Sequence, residues 1–222
     1  LTLMLPDGWG LDENQAVPSK IAMKLVDTPI KLRVRHQAVL VDFDHPVQKG
    51  ELIAGTQNQH YQVDLGADKL NRYATRTIII TDLQGEQSQI IQRVHFVRSV
   101  WVDAVTGLPI IPLTSLEWQP LNTKSFWNAV TIPQIEGYQA IITDEATGQQ
   151  LPAIEQVSPD ATSSQTIMVV YQAQTGQRTI NYVDEDGSVI GTQTVSGNLN
   201  VMIPVELVLP QDWQLASPDE RL

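Results

Sequence analysis

The sequence predicts a mainly β protein with little helix, an α+β chain whose modules stand in tandem in an elongated arrangement. Three observations support this prediction. Apolar and polar residues alternate with period two, 13 prolines and 13 glycines are spread along the 222 residues, and the phrase that opens the chain recurs near its end. The prolines and glycines divide the chain into short elements, which favours strands and tight turns over long helices.

The recurring phrase marks one period of a repeat. Residues 1–11 read LTLMLPDGWGL, and residues 205–215 read VELVLPQDWQL. The identical positions are those of Leu3, Leu5, Pro6, Trp9 and Leu11. Trp and Pro are uncommon residues, so their shared spacing indicates a repeated module rather than coincidence. We expect Trp9 and Trp213, which have apolar surroundings, to pack in the core of that module.

Alternation and β-branched runs place the predicted strands. The two alternating apolar sets are Ile30, Leu32 and Val34, then Ile167, Val169 and Tyr171. Thr77–Thr81 is a β-branched run that is long enough for a buried strand. The turn residues Leu83–Glu86 follow, and the chain resumes at Ser88 with a second long strand, which predicts a hairpin.

Three further turns share one pattern, an Asp followed shortly by a Gly. They are Asp103–Gly107, Asp144–Gly148 and Asp184–Gly187. The Asp side chain can accept hydrogen bonds from the backbone amides of the turn, and the Gly adopts the positive φ that closes a hairpin.

Helical patterning is confined to one short segment. Ala67–Tyr73 is the best candidate, because Asp68 could cap its first turn and Leu70 and Tyr73 could share a face. The rest of the chain offers no comparable pattern, so helix is expected to be a minor component.

Composition excludes several classes of function. The net charge of −11 repels phosphate backbones and anionic membrane surfaces, so nucleic acid is not an expected partner. Cysteine is absent, which excludes disulfides and thiolate metal sites and favours a bacterial surface protein or a cytosolic one. No stretch approaches the roughly 18 to 20 apolar residues of a membrane span, so membrane insertion is not expected.

A series of distinctive motifs runs through the central part of the chain: Tyr73–Asp82, Gln92–Arg98, Asp103–Gly107, Trp118, Phe126–Val130, Pro133–Tyr138, Pro152–Ile154 and Val169–Tyr171. In this order they resemble the larger module of the mucus-binding (Mub) repeats of lactobacilli. Several independent elements occur in the order of the family. The resemblance therefore assigns residues 38–175 to this larger module.

Both ends resemble the smaller mucin-binding (MucBP-type) module, which has a ubiquitin-like β-grasp fold in the family. Ile180–Gly187 and Thr194–Gly197 resemble its opening, whereas Leu5–Trp9 and Ile30–His36 resemble its second half. Residues 1–37 are thus expected to be the closing half of one small module, and residues 176–222 the opening half of the next.

Each half would lack apolar partners that the family places in the other half. The apolar residues in question are Leu3, Leu5, Trp9, Ile30, Leu32 and Val34 at one end and Ile180, Tyr182, Val189, Ile190 and Val195 at the other. We therefore hypothesise that the C-terminal half of one copy completes the N-terminal half of another, in head-to-tail self-association that resembles domain swapping.

The resemblance implies a repeat unit of a cell-surface adhesin, extracellular and attached to the cell wall of a Gram-positive bacterium. Its expected partners are the glycans of host mucin glycoproteins, bound weakly by each unit and more strongly through the avidity of tandem copies. The alternative is a structural stalk that projects a binding domain from the cell wall. Catalysis is not expected, since the chain lacks the common catalytic motifs and its histidines are scattered: His36, His45, His60 and His95.

The candidates for a metal site are two groups of carboxylates. Asp42 and Asp44 would share a face of a strand beside His45, and Asp184 and Asp186 lie in a turn where clustered oxygens could hold calcium. We favour a solvated edge and a plain turn, because both groups offer few ligands and the EF-hand pattern is not completed. No other cofactor is expected.

Three tryptophans are candidates for glycan contact, because an exposed indole can stack on the apolar face of a sugar while nearby amides bond its hydroxyls. They are Trp101, Trp118 and Trp127, with Asn128 as a polar neighbour. His95 is expected on the face of its strand opposite to Val94 and Phe96.

Overall fold

The computed structural model describes residues 4–26, 29–123 and 125–215, and the regular secondary structure of these residues is almost all β, as predicted. One helical turn, α1 (Ala67–Leu70), and a 3₁₀ turn at Leu113–Ser115 complete the regular structure. The strands are β1 (Trp9–Leu11), β2 (Val34–His36), β3 (Ala38–Val41), β4 (Asn71–Thr81), β5 (Gln87–Val97), β6 (Val100–Asp103), β7 (Gln119–Pro120), β8 (Tyr138–Asp144), β9 (Gln150–Leu151), β10 (Ser164–Ala173), β11 (Thr175–Val183) and β12 (Val189–Asn198).

The strands form one large sheet and three pairs. The large sheet has the order β7-β5-β4-β10-β8-β9, and the pairs are β1-β2, β3-β6 and β11-β12. The chain divides into two compact units. The first unit comprises the described parts of Leu1–Thr75, Gln92–Trp127 and Val157–Ser164, and the second comprises those of Arg76–Ile91, Asn128–Gln156 and Gln165–Leu222.

A core built on β3 and β6 occupies the first unit. Alternation along the two strands directs Val41, Val100 and Val102 inward, where they pack with Ile53 and Leu65. All of these side chains are at most 1% exposed. The opposite face of the same strand pair carries Ala38, Leu40, Trp101 and Asp103, with Ala38 paired to Asp103 and Leu40 paired to Trp101.

A second cluster in the first unit surrounds Trp127. Its buried members are Ala74, Val94, Phe96, Trp127 and Ala161, and Trp118 packs against them. The indole Nε1 of Trp127 lies 3.4 Å from the carbonyl oxygen of Ala74. His95 points away from this cluster, stacks on Tyr73 at 4.4 Å and lies 2.8 Å from Asn71 Oδ1 through its Nε2, as the alternation predicts.

The core of the second unit is aliphatic. It contains Ile78 from β4 and the predicted strand residues Ile167 and Val169 from β10, together with Ile142 from β8. Ile142 is directly opposite Val169 in the antiparallel pairing of β8 and β10. Beside this core, the buried guanidinium of Arg76 donates to the side chain of Gln165 and to the backbone carbonyl of Glu155.

The predicted hairpin and all three predicted Asp-Gly turns are confirmed. Asp82 N–H donates to the carbonyl of Glu86 at 2.9 Å where β4 turns into β5. Asp103, Asp144 and Asp184 each accept backbone amides of their own turn through Oδ1. The closing residues Gly107, Gly148 and Gly187 have φ of 69°, 69° and 80°.

The predicted helix is shorter than expected, and two of its details are wrong. The helix ends at Leu70, and Asn71 already has the extended φ of −129° that begins β4, so Tyr73 belongs to the strand. Gly66, not Asp68, occupies the N-cap position. The carboxylate of Asp68 instead pairs with the ammonium of Lys69 at 2.7 Å.

The N-terminal strand is also shorter than predicted. Only Val34–His36 forms a strand, because its partner β1 is itself three residues long. Ile30 remains 52% exposed. Trp9 is partly buried and meets the ring of His36 edge-on at 4.3 Å, whereas Leu3 lies outside the described residues.

The C-terminal hairpin β11-β12 carries one buried aromatic residue, Tyr182, whose hydroxyl hydrogen-bonds the side chain of Gln193. Gln193 also holds the following segment, since its amide donates to Glu206 O at 2.8 Å and its oxygen accepts Val208 N–H at 3.0 Å. The expected core position of Trp213 is wrong in this structure, where the side chain is 49% exposed. Trp9 lies in β1 and pairs with β2, whereas Trp213 lies outside the strands of the structure.

Candidate ligand-binding surface

Trp101 is the most accessible of the three tryptophan candidates. It lies on β6 with its indole on the outer face of the β3-β6 pair and remains 54% exposed. Its cross-strand partner Leu40 is 45% exposed. The backbone carbonyl of Trp101 accepts the N–H of Ile110 at 2.8 Å. The inner positions of the two strands are filled by valines, so the outward direction of the indole is fixed by the pleat.

An apolar cleft of about 380 Å³ opens on one side of Trp101. Besides Trp101, it is lined by Ile110, Ile111, Leu116, Ala38 and Ser99. Ile110 and Ile111 are more than half exposed. Such a cleft can accept the apolar face of a ligand beside the indole.

A second, more polar cleft of about 740 Å³ also borders Trp101. Arg35, His36 and Gln37 contribute a guanidinium, an imidazole and an amide, and Gly55 lies in its wall. Trp101 therefore borders an apolar cleft and a cleft with hydrogen-bonding groups. This combination of one aromatic surface and a few polar groups is typical of small-ligand sites.

Hydrogen bonds anchor the polar cleft. His36 Nδ1 lies 2.7 Å from Asp103 Oδ2, while Asp103 Oδ1 accepts the backbone amides of Val105 and Thr106. Partial burial raises the pKa of Asp103, but the hydrogen bonds from His36 and the two amides together outweigh it, so this pKa lies below its ordinary value. Arg35 forms an exposed ion pair with Glu13.

Trp118 is only partly exposed, and its ring is in contact with two guanidinium groups. Arg98 Cζ lies 4.4 Å from the ring centroid and Arg72 Cζ lies 4.9 Å from it. These are cation–π distances. The ring of Trp118, a candidate for glycan contact, is thus not an open stacking surface.

Trp127 is wrong as a surface candidate, because it is 4% exposed and forms part of the core around Ala74. Its position next to the polar Asn128 suggested exposure. Only Asn128 is exposed, and alternating positions in extended backbone point in opposite directions.

The calcium candidates use their oxygens within their own turns. Asp42 Oδ1 accepts the N–H groups of Asp44 and His45 and lies 3.0 Å from His45 Nδ1. The bond from the His45 side chain is the largest influence on the pKa of Asp42, which is lowered. Because β3 ends at Val41, Asp42 and Asp44 follow the strand, so their predicted position on its face is wrong.

Asp184 is engaged in the same way by the amides of Asp186 and Ser188, while Asp186 itself is exposed. Within residues 4–26, 29–123 and 125–215, no three His, Asp or Glu side chains come together in a group that could hold a metal ion. In the same ranges no helix has the length and apolar character needed to cross a membrane.

A family model described as Muc B2-like domain matches residues 65–175, which is half of the chain. The chain belongs to the Muc B2-like domain family. The resemblance to mucus-binding repeats is thereby confirmed. None of the curated proteins matches the chain.

Two solved structures are similar to this Muc B2-like protein. One is described as the crystal structure of Mub-RV, with 20% identity, 76% of each chain covered and a TM-score of 0.43. The other is the type 2 repeat of the mucus binding protein MUB from Lactobacillus reuteri, with 20% identity, 76% of this chain and 77% of that chain covered and a TM-score of 0.34.

The matched Muc B2-like segment contains Trp101, Trp118 and the two arginines on its ring, Arg72 and Arg98. The polar cleft beside Trp101 adds His36 and its neighbours, which precede the segment. Sequence reasoning missed Arg72, Arg98 and the pairing of His36 with Asp103. These contacts join residues far apart in the chain, so no local sequence pattern predicts them.

Proposed function

We propose that this chain is a repeat unit of an adhesin that binds glycans of host mucin glycoproteins, with Trp101 as the contact on which the sugar stacks. The observation that carries this proposal is the half-exposed indole between an apolar cleft and a polar cleft. A sugar ring has a C–H face that can lie on the indole and hydroxyl groups that can reach His36 and Gln37. Family membership supports the same proposal.

Each unit would bind weakly. One half-exposed indole offers a small contact area, and the clefts on either side are open to solvent. Tandem copies on one chain raise the effective concentration at the surface, so several weak contacts become one firm attachment. The repeated phrase at the two ends of the chain supports such a tandem arrangement.

The proposed setting is extracellular, on the cell wall of a Gram-positive bacterium. There the larger module, residues 38–175, would lie between two halves of MucBP-type modules with a β-grasp fold, residues 1–37 and 176–222. The division into two half-modules is supported by the contacts that the repeated phrase makes at residues 1–11 and again at residues 205–215. The first copy pairs with β2 through Trp9, and the second lies beside β12 through Gln193. Each copy thus contacts an element that the other copy does not contact in this structure.

Head-to-tail self-association would bring the N-terminal segment of one copy against the C-terminal segment of another. Both ends carry large apolar side chains that are mostly exposed. Met23 is 94% exposed and Leu25 108%, and at the other end Met202 is 99% exposed and Val208 70%. Burying such side chains is favourable by roughly 1.5–3 kcal/mol each.

Binding of the isolated chain to immobilised mucin, before and after enzymatic removal of the glycans, tests the proposed function. We expect binding that is lost on deglycosylation and reduced by free sugars. Binding that survives deglycosylation would contradict a lectin-like function. No binding at all, from a folded chain presented at high density, would favour the structural stalk.

A further inference from the structure

The geometry points to a second binding site, for an oxyanion group such as a sulfate ester or carboxylate on a saccharide, formed by Arg72 and Arg98 at the ring of Trp118. This site consists of residues other than Trp101 and its clefts. The anion site itself is independent of the proposed function; only the expectation that a saccharide carries the anion rests on it.

Among the described residues, neither of the two arginines has an acidic partner. In the parts of the chain that the structure describes, ion pairs join Arg35 to Glu13, His36 to Asp103, His45 to Asp42 and Lys69 to Asp68. Neither Arg72 nor Arg98 takes part in one. The chain has 25 acidic and 14 basic residues, so carboxylates outnumber the cations that they could pair with.

Arg98 is held in place by the fold. Its Nε donates to the carbonyl of Lys69 at 2.7 Å, and its Nη1 donates to the carbonyl of Leu113 at 2.7 Å. A guanidinium has five N–H donors, so two fixed bonds leave three donors for a ligand. Because its orientation is already determined, Arg98 loses little freedom when it binds an anion.

Arg72 brings a second positive charge to the same ring. It is exposed, and it lies on the face of β4 that also carries the buried Ala74. Burial lowers the pKa of Arg98, and the charge of Arg72 lowers it further, so the two guanidinium groups repel each other. An oxyanion that contacts both groups would relieve this repulsion and accept charge-assisted hydrogen bonds from them.

The indole of Trp118 accounts for the geometry of the pair. Cation–π contact keeps both guanidinium groups at 4.4–4.9 Å from one ring, which restricts their side-chain torsions. The negative field of the whole chain disfavours anions at long range. Binding of an anion should therefore depend on direct contact with the two arginines, and it should weaken as the salt concentration rises.

The test uses the indole N–H signal of Trp118 in two-dimensional NMR, assigned with Trp118→Phe. Inorganic sulfate is titrated against chloride at equal ionic strength, and then a sulfated, a carboxylate-bearing and a neutral form of one oligosaccharide are compared. We expect sulfate and the anionic sugars to shift this signal. Arg72→Gln should weaken their binding about tenfold and leave neutral-sugar binding unchanged.

Arg178→Gln is the matched control, since it removes an equal charge from an exposed position of β11. The anion site is wrong if Arg72→Gln and Arg178→Gln weaken the anionic sugars equally, or if sulfate does not shift the Trp118 signal more than chloride does. Loss of neutral-sugar binding in Trp101→Ala, with the sulfate response intact, would separate the two sites. The sulfated and carboxylate-bearing arms show which oxyanion the site prefers.

Discussion

His36 Nδ1 lies 2.7 Å from Asp103 Oδ2, and this contact joins β2 to the turn that follows β6. The same carboxylate holds the turn through the amides of Val105 and Thr106. The ring of Trp9 packs edge-on against His36. One carboxylate thus links the N-terminal segment, through His36, to the strand pair that carries Trp101.

Asp103→Ala should destabilise the chain by about 1–3 kcal/mol at neutral pH, because it removes the partner of His36 and two turn hydrogen bonds. The pKa of Asp103 is lowered below 3.8 by folding, so its ionised form contributes stability that is present above that pH. The contribution is lost as the pH falls through the folded-state pKa. Urea denaturation of both proteins at pH 7 and pH 3 measures the difference.

Asp82→Ala is the control for Asp103→Ala, since Asp82 accepts the amides of Gln84 and Glu86 in a similar turn without a histidine partner. We expect a smaller loss of about 0.5–1 kcal/mol for this exposed turn. Equal losses for the two variants at pH 7 would show that the contact with His36 contributes nothing.

Trp127 and Trp101 should respond very differently to replacement by alanine. Trp127→Ala empties a position that is 4% exposed, so a loss of about 3–5 kcal/mol in the free energy of unfolding is expected. Trp101→Ala removes a side chain that is 54% exposed and should cost about 1 kcal/mol. Chemical denaturation measures the free energy of unfolding of both variants. Similar losses would contradict the assignment of Trp127 to the core and Trp101 to the surface.

The contrast between these tryptophans shows what the sequence could and could not predict. Turns such as Asp144–Gly148 are determined by residues within hydrogen-bond reach of each other along the chain, so their prediction was correct. The hairpin of β4 and β5 is equally local. Strand Ile167–Tyr171 was predictable because a core on one side imposes its alternation.

Exposure of a single aromatic residue depends on contacts with distant segments. Trp127 is buried against Ala74 and Val94, and Trp118 meets Arg72 and Arg98, none of which is a sequence neighbour. The extent of strand β2 likewise depends on the length of its partner β1. The alternation of apolar and polar residues therefore overestimated the length of strand β2, and the local sequence could not rank the exposure of the three tryptophans.

Calcium should not stabilise this protein. Asp42 and Asp184 accept backbone amides of their own turns, and two carboxylates fall short of the six to eight oxygens that calcium prefers. We expect the same melting temperature in excess calcium and in a chelator, measured by differential scanning calorimetry at constant ionic strength. A rise of several degrees with calcium, abolished by Asp42→Asn or Asp184→Asn, would reverse this conclusion.

Head-to-tail self-association predicts a sedimentation coefficient that rises with protein concentration. Met23→Asp and Met202→Asp each place a charge on a fully exposed apolar position at one end of the chain, so either should shift the equilibrium to the monomer. Leu83→Asp, at an exposed position of the β4-β5 turn, is the control and should leave association unchanged. A chain that is monomeric at every concentration would rule out self-association.

The central claim is that glycans bind at Trp101, and mucin binding by Trp101→Ala tests it most directly. Trp213→Ala is the matched control, because Trp213 is also about half exposed but lies in the C-terminal segment. Surface plasmon resonance on intact mucin should show binding by the unmodified chain and by Trp213→Ala, and a loss of about tenfold or more in Trp101→Ala with an unchanged fold. Equal binding by all three proteins would contradict the account.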